Sequence, residues 1–352
     1  MAESFLSEVL LDREPDEAGR QVSDLIWGIF FTPVTLAIAN LGFPAVLAEK
    51  SLTAAEVAGA AGTDPGATAR LLRAGLAVGL VSADSAGRYS LTEMGGWLRP
   101  DVSALSDMAG FWQGPAVTAF GAIADHVKSG QKVDPAAPGG FWEWLGHHPE
   151  EAARFSRAMG FVTSRVLAAL AGAGYRLPAG GRVVDVGGNR GTLLAWLLHD
   201  MPEATGVLYD LAGSLAAAPG FLAAESVADR TEIVEGSFLD HVPDGDVHVI
   251  SNVLHNWDDE HVRQVAANCA RAARPGGWLV VIEPTLPSVP EPAMGQLMDI
   301  LMMVMLGGRE RALEEHQALI EPAGYALARD VPLPLGKVGT QAPWRVMEFR
   351  RT

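Results

Sequence analysis

Gly187, Gly188 and Gly191, in the stretch VVDVGGNRG (183–191), follow a short apolar run and precede a helical pattern. Glycines between a strand and a helix let a ligand approach the backbone closely, and the helix N-terminus behind them is an anion site. Asp210 closes the next apolar run, VLYD, where a carboxylate can accept both hydroxyls of a ribose. Together these residues describe a loop for an adenosine-bearing cofactor. They suit an adenine dinucleotide and S-adenosylmethionine equally well. Asn189 stands where such loops repeat glycine, and asparagine is among the few other residues that accept a left-handed backbone with little strain. Metal chemistry is not expected: there is no HExxH and no His/Cys set with ligand spacing, and His255 and His261 fall on different faces of a helix.

The elements that must carry these residues are visible from Gly180 onward. Five short β-branched runs, RVVDVGG, TGVLYD, TEIVEG, DVHVISNVL and WLVVIEP, alternate with helix-length segments such as TLLAWLLHDMP and DDEHVRQVAANCARAARPGG. The alternation predicts an α/β fold with a doubly wound parallel sheet, whose ligands bind beyond the carboxyl ends of the strands.

The first third is rich in alanine and leucine at helical spacing. In SDLIWGIFFTPVTLAIANLGFPAVLAEK (23–50) apolar residues cover nearly every face, which predicts burial against a partner subunit or another domain. Pro33 and Gly42-Phe43-Pro44 are expected to break it into short helices. The following stretch reads as helix, turn, helix and hairpin, with Thr53 and Glu56 as a capping box and Asp64-Pro65 opening the second helix. That is a winged-helix pattern. Its second helix has Arg70 and Arg73 as its only basic residues, so packing or dimerisation is favoured over DNA binding. Domains are expected at 1–105 and 106–352. Between Asp107 and Tyr175 the chain again reads as helical. Its crowded aromatic residues, with Trp142 and Met159 among the candidates, suit a wall against a flat ligand.

Composition narrows the function classes. With 352 residues, 49% hydrophobic, the chain suits two globular domains, and a net charge of −16 disfavours nucleic-acid partners. One cysteine, Cys269, excludes an internal disulfide and fits the cytosol. The N-terminus has no signal-peptide pattern, and no stretch reads as long and apolar enough to span a bilayer. A cytoplasmic protein without a membrane partner is expected.

Beyond the second strand come EGSF (235–238), SNVLHNWDDEH (251–261), RPGGWLVVIEPTLP (274–287) and GGRERALEEHQALIEPAGY (307–325). In their order and spacing they resemble the class I S-adenosylmethionine-dependent O-methyltransferases. The resemblance is stronger to the caffeate-type and antibiotic-tailoring small-molecule enzymes with an N-terminal winged-helix dimerisation domain, and it covers nearly the whole chain. It implies a Rossmann-like, mostly parallel sheet, a homodimer, conversion of S-adenosylmethionine to S-adenosylhomocysteine, and no metal. Residue by residue, it implies that Gly187 meets the cofactor through its backbone and Asp210 takes the ribose hydroxyls. Ser237 and Phe238 would flank the adenine, Ser237 in a slot the family usually fills with aspartate. Ser251 and Arg157 would hold the methionine part and its carboxylate.

His255 falls where the family places its general base. A phenol of pKa about 10 is mostly protonated at neutral pH, whereas the phenolate is the nucleophile, so an imidazole fits the role. Glu283 and Glu310 match two acidic residues that orient the histidine and stabilise its charge. Asn256, Met298 and Met302 join Trp142 and Met159 as candidate acceptor contacts. Plainer readings remain for some of these residues: Asp258, Asp259 and Glu260 can cap the following helix, and Glu310 can be a solvated charge beside Arg309 and Arg311. The implied activity is methylation of a hydroxyl on a small aromatic or polyketide-like natural product. A cofactor-dependent reaction other than methylation ranks below it because His255 and both glutamates are retained, and a ligand-sensing DNA-binding regulator ranks last on charge.

Overall fold

The computed structural model describes residues 16–130, 140–289, 294–333 and 344–352. Contacts divide it into two compact units joined between Gln113 and Gly114.

In the N-terminal unit, α1 (Glu17–Asn40) is capped by the Asp16 carboxylate, which accepts the Gly19 N–H at 2.9 Å. Against expectation, α1 runs straight through Pro33. Proline removes one donor from the ladder, and the remaining turns carry the helix on. The break comes instead at Gly42, whose φ of +71° favours glycine. An uninterrupted α1 also corrects the reading that no segment could span a bilayer: its length and mean hydropathy of 1.7 suffice, with 17% of that stretch buried. A break at Pro33 would have halved the apolar length. Leu25, Ile26, Trp27, Ile29 and Phe30 are all exposed in the single chain.

Helices α2 (Ala54–Ala61) and α3 (Pro65–Ala77) follow, α2 with the Thr53–Glu56 capping box formed in both directions and α3 capped by Asp64. The strands β1 (Val81–Ala83) and β2 (Tyr89–Leu91) pair as an antiparallel hairpin. Ile38, Phe43, Val57, Leu72 and Val81 form the core beneath them.

The second unit is built on a seven-stranded sheet of order β5-β4-β3-β6-β7-β9-β8. Strands β3 (Arg182–Val186), β4 (Thr205–Asp210), β5 (Thr231–Glu235), β6 (Gly245–Ser251) and β7 (Ala273–Pro284) are parallel and match the five runs read from sequence. Helices α4 (Phe141–His147) and α5 (Pro149–Gly172) precede the sheet; α6 (Thr192–Asp200), α7 (Asp259–Ala272), α8 (Met294–Met305) and α9 (Leu313–Ile320) follow within it. Both sheet faces are covered, which is why β3 and β6 read as nearly unbroken apolar runs. Two strands were not foreseen: β8 (Tyr325–Leu333) and β9 (Trp344–Arg351), both antiparallel to their neighbours. The strand order reverses between β3 and β6, and the crevice this opens at their carboxyl ends holds the site.

Candidate active site

After β3 the chain turns through Gly187 at φ +74° and Asn189 at φ +54° before α6 begins. Gly188 answers to packing instead: a Cβ there would lie 2.5 Å from Leu208 and 2.6 Å from the Asp185 carboxyl carbon. Asn189 does more than tolerate its conformation. Its N–H donates to Asp210 Oδ2 at 2.8 Å, its Oδ1 accepts the Ser156 hydroxyl at 2.6 Å, and its Nδ2 reaches the Ser156 carbonyl at 3.4 Å. The loop is thereby tied to α5 and to the acid at the end of β4. Asn189→Gly keeps the turn and removes the tie to Ser156. Calorimetry should find S-adenosylhomocysteine bound about threefold to tenfold more weakly, one net hydrogen bond's worth; unchanged affinity would make Asn189 a turn former and nothing more.

Above the loop lies a cleft of about 690 Å³ including its open mouth. Gly187, Asp210, Ser237 and Phe238, read from the sequence as cofactor residues, line it together with Asn256 and Trp142, read as acceptor contacts. Phe155, from the crowded aromatic stretch before Tyr175, lines it too; Ser214, Asn252 and Trp257 also do and were missed, because nothing local in the sequence separates these residues from core. Phe238 and Trp257 meet edge to face at 5.8 Å, and Trp142 meets Phe155 likewise at 5.9 Å. These rings offer flat walls to a planar base. The Ser237 hydroxyl accepts the Leu239 N–H at 3.2 Å.

A smaller polar recess adjoins this cleft, lined by Asp185, Gly188, Asn189, Arg190 and Ser251. Asp185 is 2% exposed, and among the described residues its Oδ2 has no hydrogen-bond partner. Burial first, and then the charge of Asp210, raises its carboxyl to about 7. Burial likewise raises Asp210, against the opposing N–H donors of Asn189 and Leu211. Two acids in this condition call for a cationic ligand with hydroxyls. S-adenosylmethionine has an ammonium, a sulfonium and a ribose, so the residues present fit it. Arg157 is exposed on α5 and lines neither cleft; the guanidinium in the recess is that of Arg190, which donates to the Thr192 hydroxyl at 3.0 Å and lies 4.8 Å over the Phe221 ring. Met159 Sδ is 4.0 Å from Asn252 Nδ2.

Beyond β6 a single 3₁₀ turn, Leu254–Asn256, presents His255, which is 5% exposed. Its Nδ1 lies 2.8 Å from Glu310 Oε1, leaving Nε2 as the nitrogen that can serve a substrate. Glu283, fully buried on β7, accepts the N–H groups of Val253 and Leu254 at 2.7 and 2.8 Å, so it orients the turn and not the ring. Asp299 on α8 accepts the Glu310 N–H at 2.8 Å. Burial by itself would lower the imidazole; the carboxylates of Glu310 and Glu283 outweigh it and push His255 up to about 9. Met302 is buried and Met298 half-buried on α8, and neither lines the two clefts. Among the described residues no group of three His, Cys, Asp or Glu side chains is placed to hold a metal ion.

The family model for an O-methyltransferase domain matches residues 120–326, and that for an O-methyltransferase dimerisation domain matches residues 23–101. Mitomycin biosynthesis 6-O-methyltransferase of Streptomyces lavendulae is 32% identical over 95% of both chains. The 2,7-dihydroxy-5-methyl-1-naphthoate 7-O-methyltransferase of Streptomyces carzinostaticus is 36% identical over 86% of this chain and 92% of its own. A solved O-methyltransferase from neocarzinostatin biosynthesis, in complex with S-adenosylmethionine and 2-hydroxy-5-methyl naphthoic acid, superposes with a TM-score of 0.80. It is 32% identical and covers 92% of this chain and 96% of that one. With the dimerisation and methyltransferase regions matched in this order over most of its length, the chain belongs to the S-adenosylmethionine-dependent small-molecule O-methyltransferases.

Proposed function

We propose that the enzyme methylates a hydroxyl of a small aromatic or polyketide-like natural product, with His255 as the general base. The observation that carries this reading is the buried His255–Glu310 contact of 2.8 Å, one residue from Asn256 in the wall of an aromatic-lined cleft. The relatives named for naphthoate and mitomycin substrates support the acceptor class and a place in antibiotic or other secondary metabolism.

S-adenosylmethionine, when bound, supplies an electrophilic methyl group on a sulfonium. Asp210 would hold its ribose, Ser237 and Phe238 its adenine, and Asp185, Ser251 and Arg190 its amino-acid end, with Gly187 giving close backbone approach. At the acceptor, His255 Nε2 takes the hydroxyl proton as the oxygen becomes nucleophilic. Glu310 holds the other ring nitrogen and stabilises the imidazolium that forms. Asn256 can donate to or accept from a substrate oxygen, and Trp142 supplies apolar surface for the acceptor, with Met159 behind Asn252; Met298 and Met302, outside both clefts, are not assigned a contact.

A homodimer is supported by the dimerisation match over 23–101 and by the exposed apolar side chains of α1, which a second copy of the chain would cover in place of lipid. A net charge of −16 speaks against nucleic acid, and the single cysteine suits the cytoplasm. Incubation with methyl-labelled cofactor and a panel of phenols and hydroxynaphthoates tests the reaction. Label should appear on oxygen. Transfer to aromatic amines alone would move the reading to nitrogen, and no S-adenosylhomocysteine with any acceptor would favour a non-methylating use of the cofactor.

A further inference from the structure

Arg311 lies in neither cleft, yet it is the bulkiest fully buried side chain among the described residues, 1% exposed. A guanidinium has five N–H donors, and burying one without using them is costly. All five are used. Nε donates to Asp259 Oδ1 at 3.0 Å; Nη1 donates to the Leu254 and Arg309 carbonyls, each at 3.2 Å; Nη2 donates to the Trp257 carbonyl at 2.7 Å and to Asp259 Oδ1 at 2.8 Å.

The acceptors share a logic. Leu254 and Trp257 bracket His255 and Asn256, Arg309 precedes Glu310, and Asp259 opens α7. The Arg311 main chain also pairs with Thr285, two residues past Glu283, and its carbonyl accepts the Leu286 N–H at 3.0 Å. Gly308 presses the same loop onto the turn: a Cβ there would fall 2.1 Å from the His255 carbonyl oxygen.

We propose that Arg311 is a positioning residue whose guanidinium, anchored on Asp259, clamps the turn carrying His255 to the segment carrying Glu310 and so fixes their contact. The proposal rests on His255 as the base. Lysine cannot replace the clamp, because an ammonium has three donors and no planar fork. The charged and titratable groups around the base are Glu310 and Arg311 from one segment, Glu283 from β7 and His316 from α9, with Asp299 behind the Glu310 amide. Loosening the clamp while keeping the cation takes Glu310 away from the ring and lets His255 fall toward its ordinary value.

Arg311→Lys provides that comparison. Expected are S-adenosylhomocysteine binding that is retained by calorimetry, a kcat lower by roughly a hundredfold, and an acid limb of kcat/KM moved to lower pH. Asp259→Ala, at a partly exposed position, keeps the arginine and removes its anchor; the limb should move the same way, with roughly a tenfold loss in kcat. If the lysine variant does not fold, Asp259→Ala decides. A lowered melting midpoint with kcat and limb both unmoved overturns the proposal, since a brace unconnected to the base affects stability alone. His255→Ala run alongside separates the two readings. If it retains its rate, the base assignment fails; if it is inactive while the other variants keep their rate and limb, only the clamp fails.

Discussion

Replacing His255 by alanine lowers kcat for hydroxyl methylation by roughly two to four orders of magnitude, the range of a positioned general base. Binding of S-adenosylhomocysteine survives, because most of the cleft's lining comes from other turns, Gly187 and Asn189 after β3, Asp210 after β4, Ser237 and Phe238 after β5, and the substitution leaves the side chains of Asn252, Asn256 and Trp257 in place. The substitution also removes the neutralising partner of Glu310, which is 1% exposed, so some loss of stability accompanies it. Calorimetry and single-turnover rates separate these effects. A variant that binds cofactor normally and still methylates near the wild-type rate would show that the acceptor arrives already ionised or loses its proton elsewhere. A more acidic acceptor narrows the deficit, since less proton removal is left for the enzyme to assist.

Glu310→Gln moves the pH dependence of the same step. His255 accepts a proton only when neutral, and its carboxylate neighbours push it up to about 9. In the wild type, kcat/KM therefore rises with pH, about tenfold per unit, until it levels near that value. The high value leaves few molecules competent at neutral pH but brings the base close to a phenol of about 10, so proton transfer is nearly balanced. Glutamine removes the charge 2.8 Å from Nδ1, and the limb falls toward about 6.5 or below, with a lower plateau because the imidazolium has lost its counter-charge. The sign for stability is opposite to that for activity. A histidine raised in the folded state stabilises fully below about 6.5 and loses that contribution as pH climbs through its folded value. The wild-type melting midpoint should decline over the window in which activity grows, and Glu310→Gln should flatten the decline. A limb that stays where it is in the variant would detach Glu310 from the titrating group.

Legibility differed by element for physical reasons. Four of the five parallel strands lie inside the sheet, covered on both faces, and each leaves a compact β-branched run; β5, at the edge and largely exposed, was legible from the pattern of TEIVEG alone, and the loop after β3 from its glycines. β8 escaped notice because it is an edge strand: its sequence, YALARDVPL, mixes charge, proline and partial exposure. Pro33 misled because a breaker acts on a short helix more readily than on one of 24 residues. At the site, His255, Glu283 and Glu310 could be picked out as a set only through the family resemblance of the segments that carry them. How Glu283 acts, through the Val253 and Leu254 amides, was not legible, because it depends on β7 lying beside β6. Arg311 looked like one more charge in GGRER. Its five hydrogen bonds end on four acceptors at positions 254, 257, 259 and 309, a convergence that no local pattern encodes.

The placement of β9 has a consequence for how the enzyme is made. β9 spans Trp344–Arg351 yet lies inside the sheet, against β7, with Arg345 opposite Glu283. A chain emerging from the ribosome can form the cofactor loop and its parallel strands early. Until residues 344–351 are free, however, β7 keeps an open edge beside the acid that holds the base-bearing turn. The edge of β7 beside Glu283 therefore closes only once β9 is available, later in synthesis than the parallel strands that carry the cofactor loop.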